Sequence, residues 1–205
     1  DSLSFIPGKI ELKAGFTDES RKFITLNSSL LNASIEGQYN FMTLSDEVGI
    51  IMNQYLPGIF PKPKYYRQRS MQNDFRFSLT LDNTENLSRT FDLPANIVKP
   101  MIISGLVNTK ENIFKATADV PLIEYGELSI QNTRIDIGNS DTLMNLVGNT
   151  ILYNGSERIK VGLNTNIESD TINALLTAKT DTGSFSFDGS VKALANLRMS
   201  ESGEL

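Results

Sequence analysis

The 205-residue chain contains no cysteine, no histidine and no tryptophan. Without cysteine it can form neither a disulfide framework nor a thiolate metal site. Without histidine it has no imidazole to serve as a metal ligand or as the base of a Ser-His-Asp or Cys-His arrangement. No run approaches the roughly 18 apolar residues of a membrane-spanning helix, and the GxGxxG and GxxxxGK phosphate loops are absent. These absences exclude thiol and imidazole catalysis and leave nucleotide binding by a known loop without support.

The composition is that of an ordinary folded protein, with 40% hydrophobic residues, 8% aromatic residues and a net charge of -5. Disordered chains have lower hydrophobicity and higher charge. A β-rich chain of this size commonly forms one domain. We therefore expect residues 1–205 to be a single β-rich module.

Most of the chain alternates apolar and polar residues with a period of two, the pattern of a strand with one apolar face. The clearest case is residues 158–167, where Ile159, Val161 and Leu163 alternate with polar or small residues. Beyond Pro100 every element reads as a strand, with predicted bounds 101–107, 113–122, 127–137, 143–153, 159–167, 172–178 and 185–193. The predicted fold is mainly β: a curved antiparallel meander, either a β-taco or an open, sandwich-like trough, with one or two short helices.

Two of these stretches change their apolar phase. In residues 23–41 the phase shifts where Leu30 and Leu31 stand side by side, which predicts a bend or bulge. In residues 127–137 a bulge near Asn132 is predicted for the same reason.

One stretch has helical spacing instead. Its apolar residues recur three or four positions apart and predict an amphipathic helix over about residues 44–56: Leu44, Val48, Ile51, Met52 and Tyr55. Ser45 and Asp46 are the expected cap, and Pro57-Gly58 the expected end. The polar face lacks the Lys and Arg of membrane-surface helices, so we expect the helix to cover an open end of the sheet core. Residues 82–93 are ambiguous, and a short helix that begins near Thr84 and ends before Pro94 is one interpretation.

The basic, proline-rich residues 57–73 are predicted to form a loop. Cations and tyrosines alternate within residues 62–69, as they do on surfaces that bind nucleic acid or anionic membranes. A solvated loop is the first interpretation, and contact with anionic lipid or an acidic partner is the second. Because the chain is acidic, with a pI near 4.9, we do not expect nucleic acid as a partner.

Four predicted strands carry a glycine between apolar neighbours of the same parity. These glycines are Gly37, Gly105, Gly148 and Gly189. Glycine weakens a strand, so its presence on the apolar face favours either tight curvature toward that face or a close approach of the backbone. The frequency of glycine in β-rich chains explains the same pattern equally well.

Candidates for reaction chemistry are few. Two pairs of adjacent carboxylates, Asp18-Glu19 and Asp46-Glu47, have the residue types of glycosidase acid and base. A polar loop and a helix start explain them better. Acidic and polar residues within 136–141 loosely match a calcium loop, but a hairpin turn explains them too. The sequence therefore predicts no enzyme, no cofactor and no metal.

Residues 26–41, LNSSLLNASIEGQYNF, followed by the helix that leads to Tyr55-Leu56-Pro57, resemble segments of the large AsmA-like and TamB-like envelope proteins of Bacteroidetes-type Gram-negative bacteria. The later strands of the form apolar-x-Gly-x-apolar resemble these proteins as well. The resemblance implies a β-taco, which is a sheet folded along its length into a trough with an apolar inner surface. It also implies a periplasmic protein, linked to phospholipid movement toward the outer membrane and to outer-membrane protein assembly. On this basis we expect an internal fragment of a longer protein, anchored in the inner membrane through a segment outside this chain.

The expected function is a non-enzymatic periplasmic module with an apolar groove for phospholipid transport or outer-membrane protein assembly. Its expected partners are lipid acyl chains, neighbouring segments of the same chain and an outer-membrane BamA/TamA-type protein. The candidate groove residues come from the clean alternating sets: Ile35, Tyr39, Phe75, Phe77, Leu79, Ile103, Val107, Ile159, Val161, Leu163, Phe185 and Phe187. An ordinary sandwich core explains each position equally well. The main alternative is a closed β-sandwich that binds a glycan or protein ligand in the bacterial envelope, and a carboxylate-pair enzyme ranks third.

Overall fold

The computed structural model describes residues 8–62, 73–182 and 187–196, which contain twelve strands and two helices. The strands are β1 (Glu11–Phe16), β2 (Lys22–Asn27), β3 (Leu31–Gln38), β4 (Asp74–Leu81), β5 (Ala95–Ile97), β6 (Met101–Asn108), β7 (Ile113–Tyr125), β8 (Leu128–Asn139), β9 (Met144–Asn154), β10 (Glu157–Glu168), β11 (Thr171–Thr182) and β12 (Asp188–Asn196). The helices are α1 (Phe41–Asn53) and α2 (Glu85–Phe91). Phe185 and most of the predicted loop at 57–73 lie outside the described residues.

All strands belong to one antiparallel sheet whose spatial order follows the chain from β1 to β12. The short β5 leaves this path and pairs with the far end of β7, in line with β6. The sheet does not close, because β1 and β12 stand at its two edges. The predicted class, a mainly β antiparallel meander with one or two short helices, is confirmed, and the seven strands predicted beyond Pro100 all occur. The alternative interpretation predicted a closed sandwich, whereas the described strands form one open sheet.

The strand register assigns the residues to two faces, because residues paired across antiparallel strands point to the same side of the sheet. Ile35 of β3 pairs with Phe77 of β4, and Phe77 pairs with Gly105 of β6. The same row continues through Ala116, Ile137, Leu146, Thr165 and Ala174. We call this side the inner face and the opposite side the outer face. The outer face carries most of the charged residues, such as Glu36, Arg76 and Lys115.

Helix α1 covers one end of the inner face. It begins at Phe41 because the side chain of Asn40 accepts a hydrogen bond from the N–H of Met42 (3.0 Å). The predicted cap at Ser45 and Asp46 is wrong, since both residues lie inside the helix. The helix ends at Asn53, three residues before the predicted end, and a turn follows. Its predicted role is confirmed, because its apolar side packs against the strand ends.

The sheet curls around this helix. Gln54 accepts a hydrogen bond from Asn112 in the turn between β6 and β7 (2.5 Å). The carbonyl oxygen of the next residue, Tyr55, accepts one from the N–H of Asp170 in the turn between β10 and β11 (2.9 Å). In a flat sheet, β7 and β11 would lie four strand spacings apart, about 19 Å. Two adjacent residues reach both turns because the sheet bends toward α1, which makes the inner face concave.

The predicted phase change in β8 is confirmed as a bulge. Asn132 has a φ of 51°, and the pairing of β8 with β9 shifts by one residue between Gln131 and Arg134. This shift keeps Ile130 and Ile135 on the inner face. The bend predicted at Leu30 and Leu31 is instead a tight turn between two separate strands. Ser28 closes this turn through its N–H, which donates to the carbonyl of Leu31 (3.0 Å).

The predicted short helix near Thr84 is confirmed as α2. Together with β5 it forms a small insertion between β4 and β6, at the end of the sheet opposite α1. Asp92 ends α2 in a left-handed conformation with a φ of 51°. Neither helix in the described part of the chain is long and apolar enough to cross a bilayer.

Candidate functional site

The inner face forms a trough, and its end beneath α1 is a packed core. Among the described residues, nine hydrophobic side chains are buried, and eight of them belong to one cluster that joins α1 and the turn after it to the strand ends: Tyr39, Ile51, Tyr55, Leu56, Phe75, Val107, Met144 and Ile167. The rings of Tyr39 and Phe75 meet edge to face, with centroids 5.9 Å apart. Burial raises the pKa of the Tyr39 phenol. We call this region the capped end of the trough.

Buried polar groups fasten the start of the cap to β4. Asn73, at the entry to β4, accepts a hydrogen bond from the N–H of Asn40 (2.7 Å) and donates one to the carboxylate of Glu47. Thr43 donates a second bond to that carboxylate (3.1 Å). Glu47 and Asn73 are both buried, and a buried polar group is stable when it is bonded in this way.

A second set of hydrogen bonds fastens the end of the cap to two turns of the sheet. The hydroxyl of Tyr55 donates to the carbonyl of Ser140 (2.5 Å) and accepts from the side chain of Asn139 (2.8 Å), both at the turn between β8 and β9. Asp170, in the turn between β10 and β11, accepts from the N–H of Gly58 (2.7 Å). The cap therefore holds neighbouring turns together and fixes the curl of the sheet.

Away from α1, the inner face of the described strands lies outside the buried cluster. We call this region the open stretch of the trough. Apart from Val120 of β7, which is buried, its apolar side chains on the central strands are only partly buried, and those toward the two edges are more exposed. Phe187 beside β12, for example, is 45% exposed. An apolar surface of this extent on a single-layer sheet is the kind that binds a partner or a ligand.

Two glycines of the inner face are required by close contacts. Gly37 has a φ of +145°, and a Cβ there would fall on the carbonyl oxygen of Asp74. At Gly105, a Cβ would meet the carbonyl oxygen of Lys115 and the ring of Phe77, which covers this glycine. The close-approach explanation therefore holds at both positions. At Gly148 a Cβ would have only ordinary contacts, the nearest at 3.8 Å, so close approach does not explain this glycine.

The structure places the eleven described candidate groove residues on the inner face, but in two different environments. Tyr39, Phe75 and Val107 are buried in the cluster beneath α1, and Ile35 and Phe77 pack against that cluster. These five belong to the core of the capped end. The other six flank the open stretch: Leu79, Ile103, Ile159, Val161, Leu163 and Phe187. Phe185 lies outside the described residues.

Four apolar residues of the inner face were not among the candidate groove residues. Leu146 and Leu152 of β9, Leu176 of β11 and Ile135 of β8 share the inner face with the six residues of the open stretch. Their alternation was visible in the sequence. The sequence did not give the strand register, which decides which residues lie side by side across the sheet.

Two of the four candidate carboxylates, Asp18 and Glu47, have structural roles. Asp18 accepts hydrogen bonds from the backbone N–H groups of Ser20 (2.9 Å) and Arg21 (2.8 Å), which hold the pKa of its carboxyl below the usual value. Glu47 belongs to the buried cap network. Asn139, from the loose calcium pattern, instead binds Tyr55 and the carbonyl of Asn112. Within the described residues, no group of three or more acidic side chains is placed to hold a metal ion.

The outer face has a different character. Arg134 lies between Asp119 (3.1 Å) and Asp136 (2.9 Å), and its hydrogen bond holds the pKa of Asp136 below the usual value. A shallow groove of about 560 Å³ crosses the strands nearby, with Gly162 at its floor and Asn149 and Thr177 in its walls. Its lining is mixed polar and apolar, unlike the face of the trough.

No protein-family model, no curated protein and no solved structure matches this chain. The AsmA-like and TamB-like resemblance therefore remains a hypothesis from the sequence pattern. A function has to be inferred from the geometry of the trough.

Proposed function

We propose that the open stretch of the trough binds lipid acyl chains and that the chain is a non-enzymatic lipid-binding module. The observation that carries this proposal is the apolar inner face of an open sheet, which is buried beneath α1 at one end and only partly buried beyond it. The inner positions of β4, β6 and β11 that flank it carry apolar side chains and a few small or hydroxyl side chains, without a charged group. A ligand for such a surface must be apolar and must not need hydrogen bonds.

The dimensions of the open stretch suit an acyl chain that lies along the strands. From Ile159 to Thr165, β10 rises over six residues, or about 20 Å. One leaflet of a bilayer has a hydrocarbon layer of about 15 Å, half of the full core. An acyl chain of ordinary membrane length therefore fits between the capped end and the opposite rim.

The cap also gives the bound lipid a direction. The capped end is packed with buried side chains. A polar headgroup placed there would be buried without hydrogen-bond partners, which is unfavourable. At the opposite rim, residues 154–156 in the turn between β9 and β10 are exposed to water. The acyl terminus thus points toward α1, and the polar headgroup lies at the opposite rim, near the turn between β9 and β10.

The wider role that we propose follows the resemblance in sequence pattern. The chain is then one module of a periplasmic TamB/AsmA-like protein that is held in the inner membrane by a segment outside this chain. Its trough joins those of neighbouring segments and serves phospholipid transport or outer-membrane protein assembly, with a BamA/TamA-type partner at the outer membrane. The single open sheet with a concave apolar face is consistent with this role.

The test is lipid capture by the purified chain. The chain is incubated with vesicles of phosphatidylethanolamine and phosphatidylglycerol, separated from them, and analysed by mass spectrometry for bound phospholipid. We expect bound lipid in the unmodified chain and at least a tenfold loss in the double variant Val161→Asn and Leu163→Asn, which makes the inner face of β10 polar. The matched control is Lys160→Asn with Asn164→Ser, on the outer face of the same strand, which should retain the lipid. An unmodified chain without lipid, or equal lipid in both variants, would contradict the proposal.

A further inference from the structure

The edge strand β1 has an unusual surface for an edge. Among the described strands it pairs only with β2. Its inner-face residues Leu12 and Phe16 are 69% and 74% exposed, and Ile10 just before it is 61% exposed. Natural edge strands are usually protected by prolines, bulges or inward-pointing charges. Within the described residues, the inner face of β1 has none of these devices, and its apolar side chains are exposed to water.

The hydrogen-bonding groups at this edge can be assigned. The N–H of Thr17 donates to the carbonyl of Arg21 (2.9 Å), at the close of the hairpin that joins β1 to β2. In an antiparallel ladder, bonded and non-bonded pairs alternate along the strand. The odd-numbered residues of β1 therefore bond to β2. The backbone groups of Leu12, Ala14 and Phe16 point outward to the free edge, and these residues also carry the exposed apolar side chains.

The β1 sequence is complementary to itself in one antiparallel register. If two copies pair with Leu12 opposite Leu12, then Glu11 of each copy lies opposite Lys13 of the other. Ile10 then lies opposite Ala14, on the inner face. Glu11 and Lys13 already form an ion pair within one chain (3.4 Å), and in this register they become a group of four alternating charges. Opposite charges on facing strands stabilise a pair.

The register also fits the direction of the free backbone groups. Leu12 opposite Leu12 is a bonded pair, and Ile10 opposite Ala14 is the next bonded pair on each side, so these residues exchange their outward N–H and carbonyl groups. Opposite charges, apolar side chains and backbone groups are thus all matched by a single alignment.

The other edge does not offer the same match. In β12 the backbone groups directed to the free edge are those of the even-numbered residues, because the N–H of Thr180 donates to the carbonyl of Phe187 (2.8 Å). Centring a two-fold pair on Lys192 places two lysines opposite each other, which is unfavourable. Centring it on Val191 places Lys192 opposite Ser190, without an ion pair. Centring it on Ser190 places Asp188 opposite Lys192, but Asp188 already binds Lys179 of β11 (3.0 Å). On the inner face, that register leaves Val191 opposite Gly189, without an apolar side chain to contact.

We propose that β1 is the interface of a symmetric dimer, in which the β1 strands of two copies pair antiparallel around Leu12. The dimer joins the two sheets edge to edge, and the inner apolar face continues from one copy into the other. The two caps then lie at opposite ends of the joined sheet, because the paired strands run in opposite directions. This dimer does not require lipid, so its test is independent of the proposed lipid binding. Because the second copy occupies the β1 edge, a neighbouring segment of the same chain would extend the sheet at β12.

The test is the oligomeric state of the chain in solution, measured by sedimentation equilibrium. We expect a concentration-dependent dimer with a dissociation constant of about 10–100 µM, because a single strand pair buries less area than standard stable complexes. Hydrogen exchange adds a residue-level readout. The amides of Leu12 and Ala14 should gain protection as the concentration rises, whereas the β12 amides should not.

Charge reversal supplies the matched variants. Glu11→Lys alone places lysines opposite each other at both ends of the interface, and it should weaken the dimer about tenfold. The double variant Glu11→Lys with Lys13→Glu exchanges the two charges and should restore the dimer. Ala14→Pro removes an N–H that points to the free edge and leaves the bonds to β2 intact, so it should weaken the dimer about thirtyfold. A chain that stays monomeric up to about 1 mM, where a weak interface of this size would still be detected, would overturn the proposal. A dimer that is unaffected by Glu11→Lys and Ala14→Pro would do the same.

Discussion

The capped end and the open stretch of the trough are built from the same strands, and the comparison shows what turns an apolar face into a core. On β10, Ile159 and Ile167 have the same side chain on the same face of the same strand. Ile167 is only 8% exposed because it belongs to the cluster that joins α1 and the turn after it to the sheet, whereas Ile159 stays partly exposed. The alternating pattern therefore determines only that a face is apolar. Whether that face becomes a core or a binding surface depends on a covering element supplied by a distant part of the chain.

The largest effect should come from the residue that joins the cap to the sheet. Tyr55 is fully buried and binds the turns at Ser140 and Asp170. Tyr55→Ala should lower the free energy of unfolding by about 4 kcal/mol, because it leaves a large cavity beneath α1. Tyr55→Phe retains the ring but loses the hydroxyl contacts, so it should cost only about 1–2 kcal/mol. Urea denaturation measures both values, and equal losses would mean that packing under the cap is not what holds this end together.

The comparison within β10 can be tested by truncating its two isoleucines. Ile167→Ala should lower the free energy of unfolding by about 3 kcal/mol, because its methyl groups are removed from the packed cluster. Ile159→Ala should cost less than about 1 kcal/mol, since its side chain is already partly in water. The same urea titration measures both. A cost at Ile159 that equals the cost at Ile167 would show that the open stretch is packed like the capped end.

Two glycines on the inner face differ in the space around them, and substitution by alanine tests this difference. Gly105→Ala should destabilise the chain by about 2 kcal/mol, because the added methyl group meets the Lys115 carbonyl and the Phe77 ring. Gly148→Ala should change the stability by less than about 0.5 kcal/mol, because its nearest contact is an ordinary 3.8 Å and alanine suits a strand better than glycine. Thermal unfolding of both variants gives the comparison. The reverse ranking would contradict the described backbone approach.

The smallest effect should come from the outer face, through pH. Arg134 and Thr117 bind the Asp136 carboxylate, so the pKa of this group in the folded chain lies below its ordinary value of 3.8. The carboxylate therefore stabilises the fold above about pH 3.8, the value in the unfolded chain, and this contribution is lost as the pH falls through the lower pKa of the folded state. The effect should be small because the cluster is exposed to solvent. Urea titrations below pH 4 should show a shallower dependence of stability on pH in Asp136→Asn than in the unmodified chain.

Local patterns in the sequence predicted much of the fold. The period of two located the strands, the phase change near Asn132 located the bulge, and the spacing of Leu44 to Tyr55 located the helix with its covering role. These features depend on neighbours within a few residues. The start of α1 was misplaced, because the cap residue Asn40 is held by Asn73, which lies 33 positions away.

The sequence predicted which side chains share the apolar face, but not which part of that face α1 covers. Alternation put Tyr39 and Val161 in the same candidate set, and the structure separates them because α1 covers one and not the other. The same limit applies to the glycines, since Gly105 and Gly148 stand in similar sequence contexts. Only the register reveals that the Phe77 ring lies over Gly105.

The central claim is that the inner face of β10 changes from closed to accessible along its length. Because the chain has no cysteine, single cysteines placed at Ile159 and Ile167 can be compared directly by their rates of reaction with a maleimide under native conditions. We predict that Ile159→Cys reacts rapidly and is protected by added phospholipid vesicles, and that Ile167→Cys reacts only at the rate at which the capped end opens. Equal rates at the two positions, or a fast reaction at Ile159→Cys that lipid does not slow, would contradict an open apolar trough that receives acyl chains.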